Sequence, residues 1–263
     1  MTLQEKINHS IELIQKTENL ALKYSEEGFH LAFSGGKDSQ VIYELAKMAG
    51  VKFKAYFYKT SVDPKELLLF IRENYTDVVW LRPKMTMFQL IIKKKSLPTR
   101  RSRFCCEHIK EKRGLNSVVI IGIRKSESLN RSKRIEFTSD CKKGCDKNLL
   151  SPILDWSDSD VWQFLSIRGI QVCSLYKTQT RIGCIGCPMA YHHRGELERF
   201  PQIKKAYINT AQKIIDKYPD CAFSKHFESG EDAVNWWTSG LSTKEYCFMR
   251  DHQTKLEFTC GGN

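Results

Sequence analysis

The chain has 263 residues, which suits one large α/β domain or one domain with a helical appendage and is too long to need disulfide staples in place of a core. Hydrophobic residues at 41% and charged residues at 27% match ordinary globular usage, so disorder, collagen and coiled coil are excluded. The 42 Lys and Arg against 30 Asp and Glu leave a net charge of +12, a surface that attracts phosphates, nucleic acid or another polyanion without naming which.

Met1 to Lys6 shows no apolar run of secretory length, and no later stretch approaches the ~20 apolar residues that span a bilayer, so a cytoplasmic protein with no membrane partner is expected. In a reducing compartment, ten cysteines point to metal, an iron-sulfur cluster or redox chemistry rather than disulfides.

Leu3, Ile7, Ile11, Ile14 and Leu22 fall near helical spacing and predict an amphipathic helix that ends by Gly28. Phe29 to Phe33 reads as a short apolar strand, Ser34 to Asp38 as a tight polar loop, and Ser39 onward as a helix. Phe53 to Tyr58 is a second strand, Pro64 to Tyr75 a helix opened by proline, and Val78 to Leu81 a third strand. Ser117 to Ile123 has the continuous apolar character of a parallel strand covered on both faces. This alternation predicts an α/β fold with a doubly wound, mostly parallel sheet and ligand groups at the carboxyl ends of its strands. Arg124 to Lys147 is polar, rich in Lys and Arg, without sustained apolar period, and predicts a loop region. Asp158 to Ile167 reads as a helix capped by Ser157 or Asp158, Cys173 to Ala190 as loop, and Arg194 to Tyr218 and Glu231 to Trp237 as further helices. The expected division is an N-terminal helix over 1–27, a nucleotide-binding domain carrying the cysteines over 28–190, and a helical C-terminal region over 191–263.

The strongest local signal is Ser34-Gly35-Gly36-Lys37-Asp38-Ser39, between a predicted strand and a predicted helix. Two glycines let backbone approach closely, successive N-H groups can ring an anion, and the helix N-terminus adds partial positive charge. The spacing is not that of a Walker A loop. It resembles the PP-loop of ATP pyrophosphatases, which split ATP between its α and β phosphates and usually adenylate a substrate.

The second constellation is Cys105-Cys106 with Cys184-Ile185-Gly186-Cys187. Two thiolates from a CxxC turn can grip one metal centre, and a tandem pair beside them completes four sulfur ligands for a cluster or zinc; unligated core cysteines are the plainer alternative. Together with Gly122-Ile123-Arg124, Ser126, Arg131, Ser151 to Trp156, Asp160-Val161-Trp162 and Arg181 to Pro188, these motifs resemble the phosphoadenylyl-sulfate (PAPS) and adenylyl-sulfate reductase family over roughly residues 28–190. The resemblance implies a [4Fe-4S] cluster on Cys105, Cys106, Cys184 and Cys187, with zinc as the lesser alternative. It also implies nucleotide binding by Ser34, Gly35, Gly36, Lys37, Asp38, Ser39, Gly122 and Arg124.

Two departures direct the functional expectation. Sulfate reductases of the family end in Cys-Gly-Leu/Ile-His, whereas this sequence has Cys260-Gly261-Gly262-Asn263 with no histidine. Those reductases usually carry a degraded PP-loop, whereas Lys37 and Asp38 are intact here. Lys37 can neutralise charge on departing pyrophosphate and Asp38 can help hold Mg²⁺, so these two are the catalytic candidates and ATP is the expected nucleotide. An intact PP-loop, four cysteines and a basic chain look like the branch that inserts sulfur into nucleic acid, as in DNA phosphorothioation systems, with tRNA thiolases more distant. That implies a DNA or tRNA substrate and a cysteine desulfurase as sulfur donor, and leaves a homodimer open. The alternatives are a thiol-dependent PAPS or adenylyl-sulfate reductase acting through Cys260, and a non-catalytic nucleotide- or DNA-binding subunit.

Lys93, Lys94, Lys95, Arg100, Arg101 and Arg103 precede Cys105, and Arg124, Lys125, Arg131, Lys133 and Arg134 follow the strongest strand; both groups offer a nucleic-acid track or a solvated charge face. Cys141 and Cys145 read as surface-loop cysteines ahead of a second metal half-site, and His192-His193 as solvent-facing residues. Trp156, Trp162, Trp236 and Trp237 read as packing contacts.

Overall fold

A computed structural model describes residues 1–111, 114–142, 145–190 and 193–260, with side chains for these except 111, 140–142, 145, 146, 193, 194 and 253–260. Its contacts divide the chain into two compact units. The first comprises Met1–Lys59, Asp63–Pro83 and His108–Gly183; the second comprises Thr60–Val62, Lys84–Glu107 and Cys184–Asn263. These interleaved stretches differ from the contiguous three-part division expected from sequence. Cys105, Cys106, Cys184 and Cys187 all fall in the second unit, and the Ser34 to Ser39 loop in the first.

The first unit begins with α1 (Leu3–Tyr24), started by a capping box in which Thr2 and Glu5 exchange hydrogen bonds. Its buried side is Ile7, Ser10, Ile14 and Ala21, a stripe of 3, 4 and 7 residues. Leu22, expected inside, lies one position off that stripe and is exposed. Strands β1 (Phe29–Phe33), β2 (Phe53–Tyr58) and β3 (Val79–Leu81) alternate with α2 (Lys37–Met48) and α3 (Lys65–Asn74). Strand β4 (Ser117–Ile120) is buried throughout, as its apolar run requires, but stops three residues short of the expected end.

The sheet has six strands in the order β3-β2-β1-β4-β6-β5, where β5 is Phe137–Lys142 and β6 is Cys145–Leu150. All neighbouring pairs are parallel except β5 with β6. The hairpin of β5 and β6 corrects the loop expected over Arg124 to Lys147. Its side chains carry no apolar run; the backbone groups of β4 supply the ladder that orders β6 beside it. Chain order runs from β1 outward to β3 and then returns to β4 on the other side of β1. That reversal puts the switch point of the sheet at the carboxyl ends of β1 and β4, the position where α/β sheets generally place a ligand. Leu31 and Phe33 of β1, Val41, Ile42 and Leu45 of α2 and Ile14 of α1 are essentially inaccessible, each burial contributing about 2 kcal/mol.

The second unit is helical. Helix α4 (Met87–Lys94) carries its own capping box from Thr86 and Gln89 and packs against the helix Pro201–Lys217, which in turn packs against Gly230–Ser239. The stretch Arg194 to Tyr218, expected to be helical, is broken at Phe200, because Pro201 opens a new helix at its first position. A last helix spans Thr243–Cys260, which the sequence reading does not single out. Among the described residues, no helix is long and apolar enough to cross a membrane.

Candidate functional site

The Ser34 to Ser39 string forms the turn between β1 and α2. Gly35 takes the left-handed backbone, φ +72°, and Gly36 is the N-cap residue of α2 without a side-chain cap. The helix therefore starts at Lys37, two residues earlier than expected, which places Lys37 and Asp38 in its first turn. Ser39 Oγ donates to the Gly36 carbonyl at 2.8 Å and Ser34 Oγ lies 3.2 Å from Ser39 Oγ, so both hydroxyls brace the turn.

Strand β4 delivers Gly122 and Arg124 to the same place. A Cβ on Gly122 would come within 2.8 Å of the Asp38 carbonyl oxygen, so only glycine lets this chain end lie against the start of α2. Arg124, 4% exposed, then reaches three partners. Its Nε donates to Asp38 Oδ1 at 2.7 Å, its Nη2 to Asp158 Oδ1 at 2.8 Å, and its Nη1 to Ser126 Oγ at 3.2 Å. Lys37 Nζ lies 3.1 Å from that same Asp158 oxygen and 3.7 Å from Asp38 Oδ2. Two cations and two carboxylates thus interlock at the carboxyl ends of β1 and β4. Burial pulls the Asp158 carboxyl upward, but hydrogen bonds and charge from Lys37 and Arg124 outweigh it and hold it below the ordinary value. For Arg124, burial works against the charge and Asp38 and Asp158 outweigh it, so the guanidinium stays protonated.

Three residues of this cluster escape the sequence reading as site residues. Asp158 opens the helix Asp158–Ile167. Trp162, one turn on, donates from Nε1 to Asp158 Oδ2 at 3.1 Å, and its ring centroid lies 5.9 Å from Lys37 Nζ. Tyr176, in the short 3-10 turn Ser174–Lys177, accepts a hydrogen bond from the Lys37 backbone N-H at 2.7 Å. Burial pushes its phenol up. A signal for Asp158 is present: Ser157 and Asp160 cap the helix reciprocally, which leaves Asp158 as a first-turn acid with no capping duty.

In the second unit, Cys105 and Cys106 end the short helix Phe104–Cys106, while Cys184 and Cys187 flank a turn. All four are free thiols. The Cys106 hydrogen bond, burial and the neighbouring Cys106 and Cys184 raise the Cys105 thiol far above its usual range. The buried Tyr207 phenol is raised by burial and then by Cys184, Cys105, Cys187 and Glu196. Cys105, Cys184 and Cys187 therefore lie within electrostatic reach of Tyr207, and Cys106 adjoins Cys105. Among the described residues, no three His, Cys, Asp or Glu side chains are set to hold a single metal ion.

The two basic groups fare differently. Arg124 is committed internally, Lys125 pairs with Asp155 at 2.7 Å and Arg131 with Glu127, leaving Lys133 and Arg134 as exposed cations. In the second unit Lys93, Lys94, Lys95, Arg100, Arg101 and Arg103 are all exposed, with Lys95 over the Tyr218 ring and Arg100 Nε donating to the Pro188 carbonyl at 3.1 Å. Cys141 and Cys145 lie on the β5 and β6 hairpin rather than in a loop, and their side chains fall outside the described ones. His192, the His193 side chain, the Cys260 side chain and residues 261–263 fall outside too. Trp156 is core, hydrogen-bonded to Ser10 Oγ, and Trp237 packs on Tyr207 in the second unit.

Two curated proteins are similar to this chain. An uncharacterized protein of Methanocaldococcus jannaschii is 29% identical over 219 residues, covering 79% of this chain and 51% of that protein. A probable FAD synthase of Schizosaccharomyces pombe is 27% identical over 189 residues, covering 66% of this chain and 64% of its own length. The chain thus spans about half of the first relative and just under two thirds of the second. Among solved structures, Candida glabrata FMN adenylyltransferase with FAD and inorganic pyrophosphate superposes with a TM-score of 0.51 at 20% identity, over 70% of this chain and 64% of that one. That likeness is one of fold. The phosphoadenosine phosphosulfate reductase domain profile matches residues 28–190, from the start of β1 through the CxxC turn, and the chain belongs to that family.

Proposed function

We propose that the chain is an ATP pyrophosphatase that adenylates an acceptor for sulfur transfer, and that the acceptor is nucleic acid, either DNA or tRNA. The observation that carries the reading is the convergence of Lys37 and Arg124 on Asp158 beside the N-terminus of α2. In this reading an acceptor oxygen attacks the α phosphorus, the bond to the α–β bridging oxygen breaks, and pyrophosphate leaves. Lys37 neutralises the charge that grows on pyrophosphate, and the backbone N-H groups at the start of α2 receive its oxygens. Arg124, oriented by Asp38 and Asp158, holds the nucleotide phosphates. Asp38 and Asp158 provide the one or two carboxylates that Mg²⁺ takes alongside substrate phosphates. AMP then leaves with the acceptor oxygen as sulfur takes its place. A cysteine desulfurase supplies the sulfur as persulfide, and a thiol supplies the two electrons that split the S-S bond.

Cys105, Cys106, Cys184 and Cys187 would hold a [4Fe-4S] cluster, which would bring electron- or sulfur-handling capacity to the reaction. Zinc, which also takes four cysteine sulfurs, is the lesser alternative. The exposed cations ahead of Cys105 support a polyanionic acceptor. A second reading, adenylyl transfer to a small acceptor such as FMN, is favoured by the FAD synthase relative.

The deciding experiment assays anaerobically prepared protein for iron and labile sulfide, then for pyrophosphate release from ATP with DNA, tRNA or FMN. Release that needs DNA or tRNA is expected; release with FMN alone overturns the nucleic-acid acceptor, and an iron-free protein overturns the cluster. Cys260→Ser is expected to leave pyrophosphate release intact; thiol-dependent sulfite release from adenylyl sulfate or PAPS that this substitution abolishes would favour the sulfate-ester reductase.

A further inference from the structure

The backbone of the Cys184-Ile185-Gly186-Cys187 turn is fixed at four points within the second unit. The Ile185 N-H donates to the Val62 carbonyl at 2.9 Å, and the Ile185 carbonyl accepts from the Tyr207 hydroxyl at 3.1 Å. The Gly186 N-H donates to Glu196 Oε2 at 2.9 Å, and the Cys187 carbonyl accepts from the Ala190 N-H at 2.8 Å. Two of these partners are buried side chains: Tyr207 is 1% exposed and Glu196 9%. Gly186 has φ +73°, and a Cβ there would stand 3.0 Å from Trp237 and 3.1 Å from Tyr207, so the turn is seated against an aromatic wall.

A buried carboxylate is costly to desolvate unless its oxygens are hydrogen-bonded, and for bulk alone an apolar side chain would serve. Here a backbone N-H at the centre of the CxxC turn is one of the groups that Glu196 satisfies. The Tyr207 hydroxyl is spent on the adjacent carbonyl. A CxxC loop left to itself would sample many conformers, and the entropy of ordering it would oppose every later binding event.

We infer that Glu196 and Tyr207 are positioning residues that fix the directions in which Cys184 and Cys187 present their thiols beside Cys105. This rests on reading the four cysteines as one functional group, and it identifies what sets that group's geometry. Neither residue needs to touch a bound species; both act through the turn.

The test follows thiol reactivity in the reduced, full-length apoprotein. Iodoacetamide modification of each cysteine is timed by peptide mass spectrometry in the wild type and in Tyr207→Phe, Glu196→Ala and Glu196→Gln. Tyr207→Phe keeps the ring and removes only the hydroxyl; Glu196→Gln keeps a carbonyl that can accept from Gly186. Rates at Cys184 and Cys187, taken relative to Cys247, are expected to rise roughly tenfold in Tyr207→Phe and Glu196→Ala, as loss of one charge-assisted or buried hydrogen bond allows. Glu196→Gln, which keeps an acceptor, should stay within about twofold of wild type, and Tyr207→Phe, which keeps the bulk of the ring, separates loss of a hydrogen bond from loss of packing. Unchanged ratios in Tyr207→Phe and Glu196→Ala overturn the inference, and so does acceleration of every cysteine together, which would mean general loosening. If Glu196→Ala does not fold, Tyr207→Phe decides alone. Reconstitution of the wild type with iron and sulfide is the separate check on the cluster: failure to form a chromophore removes that reading and leaves the labelling ratios to judge the turn.

Discussion

Asp38 accepts a 2.7 Å hydrogen bond from Arg124 Nε, and through it the first turn of α2 is locked to the chain that leaves β4. The two residues are 86 positions apart, and the contact lies where strand order reverses. Arg124→Met removes a buried cation and leaves Asp38 and Asp158 to share Lys37 as their remaining cation in the cluster. Thermal or urea unfolding is expected to show a loss of about 2 kcal/mol, below the range for a fully buried pair because Asp38 and Asp158 keep access to water. Arg124→Lys should recover little of it, since one ammonium cannot serve both carboxylates in the fork geometry.

Lys37 stands between Asp158 and Asp38 with only 9% of its side chain exposed. On the proposed reaction, Lys37→Met removes the charge that meets departing pyrophosphate, and pyrophosphate release should fall at least about a hundredfold, the scale for losing one preorganised electrostatic group. Asp158→Asn keeps the shape and removes the charge that holds Lys37 and Arg124. Its expected effect is smaller, on the order of tenfold, and falls on kcat more than on KM if Asp158 orients the cations rather than binding ATP. Equal rates for all three proteins in a pyrophosphate-release assay would remove Lys37 from the chemistry.

Much of this arrangement is legible in the sequence where the cause is local. The Ser34 to Ser39 turn announces itself because two glycines sit between an apolar strand and a helical period, and the cysteine pairs announce themselves by spacing. What stays hidden is long-range. Asp158 and Trp162 share a helix whose apolar period says only that it packs, and their approach to Lys37 depends on a chain return of more than a hundred residues. Tyr176 sits in a loop with no pattern at all. The β5 and β6 hairpin is invisible for a related reason: its polar strands are ordered by ladder bonds from β4, a neighbour that sequence periodicity does not reveal.

Tyr176 tests how the loop N-H groups are used. Tyr176→Phe removes the acceptor of the Lys37 N-H, and a part-buried donor left unpaired costs about 1–3 kcal/mol. The variant should therefore melt earlier than wild type. ATP offers a stronger, anionic acceptor to the same donor, so the rise in melting temperature on adding Mg-ATP is expected to be larger in Tyr176→Phe than in wild type. A smaller rise would mean that the phenol itself contributes to holding the nucleotide.

His30 gives the fold a pH dependence that is independent of the nucleotide site. It lies on β1, stacked on Tyr56 with ring centroids 4.1 Å apart and hydrogen-bonded to the Tyr58 hydroxyl. Burial, assisted by the nearby charge of Lys147, pushes its pKa down to about 4 from an ordinary value of 6.5. The unfolded chain therefore binds a proton at this site that the folded one refuses, and stability rises with pH wherever that holds. The contribution is complete above about pH 6.5, declines as pH falls, and is gone below about pH 4, amounting to about 3 kcal/mol. Replacing His30 with Gln removes the titration but not the polar group. Urea unfolding of both proteins at several pH values between 4 and 7 should show the wild type losing stability toward pH 4 by that additional amount. Parallel curves for the two proteins would mean that the imidazole is protonated as readily in the fold as outside it, and that the stack on Tyr56 tolerates a charge.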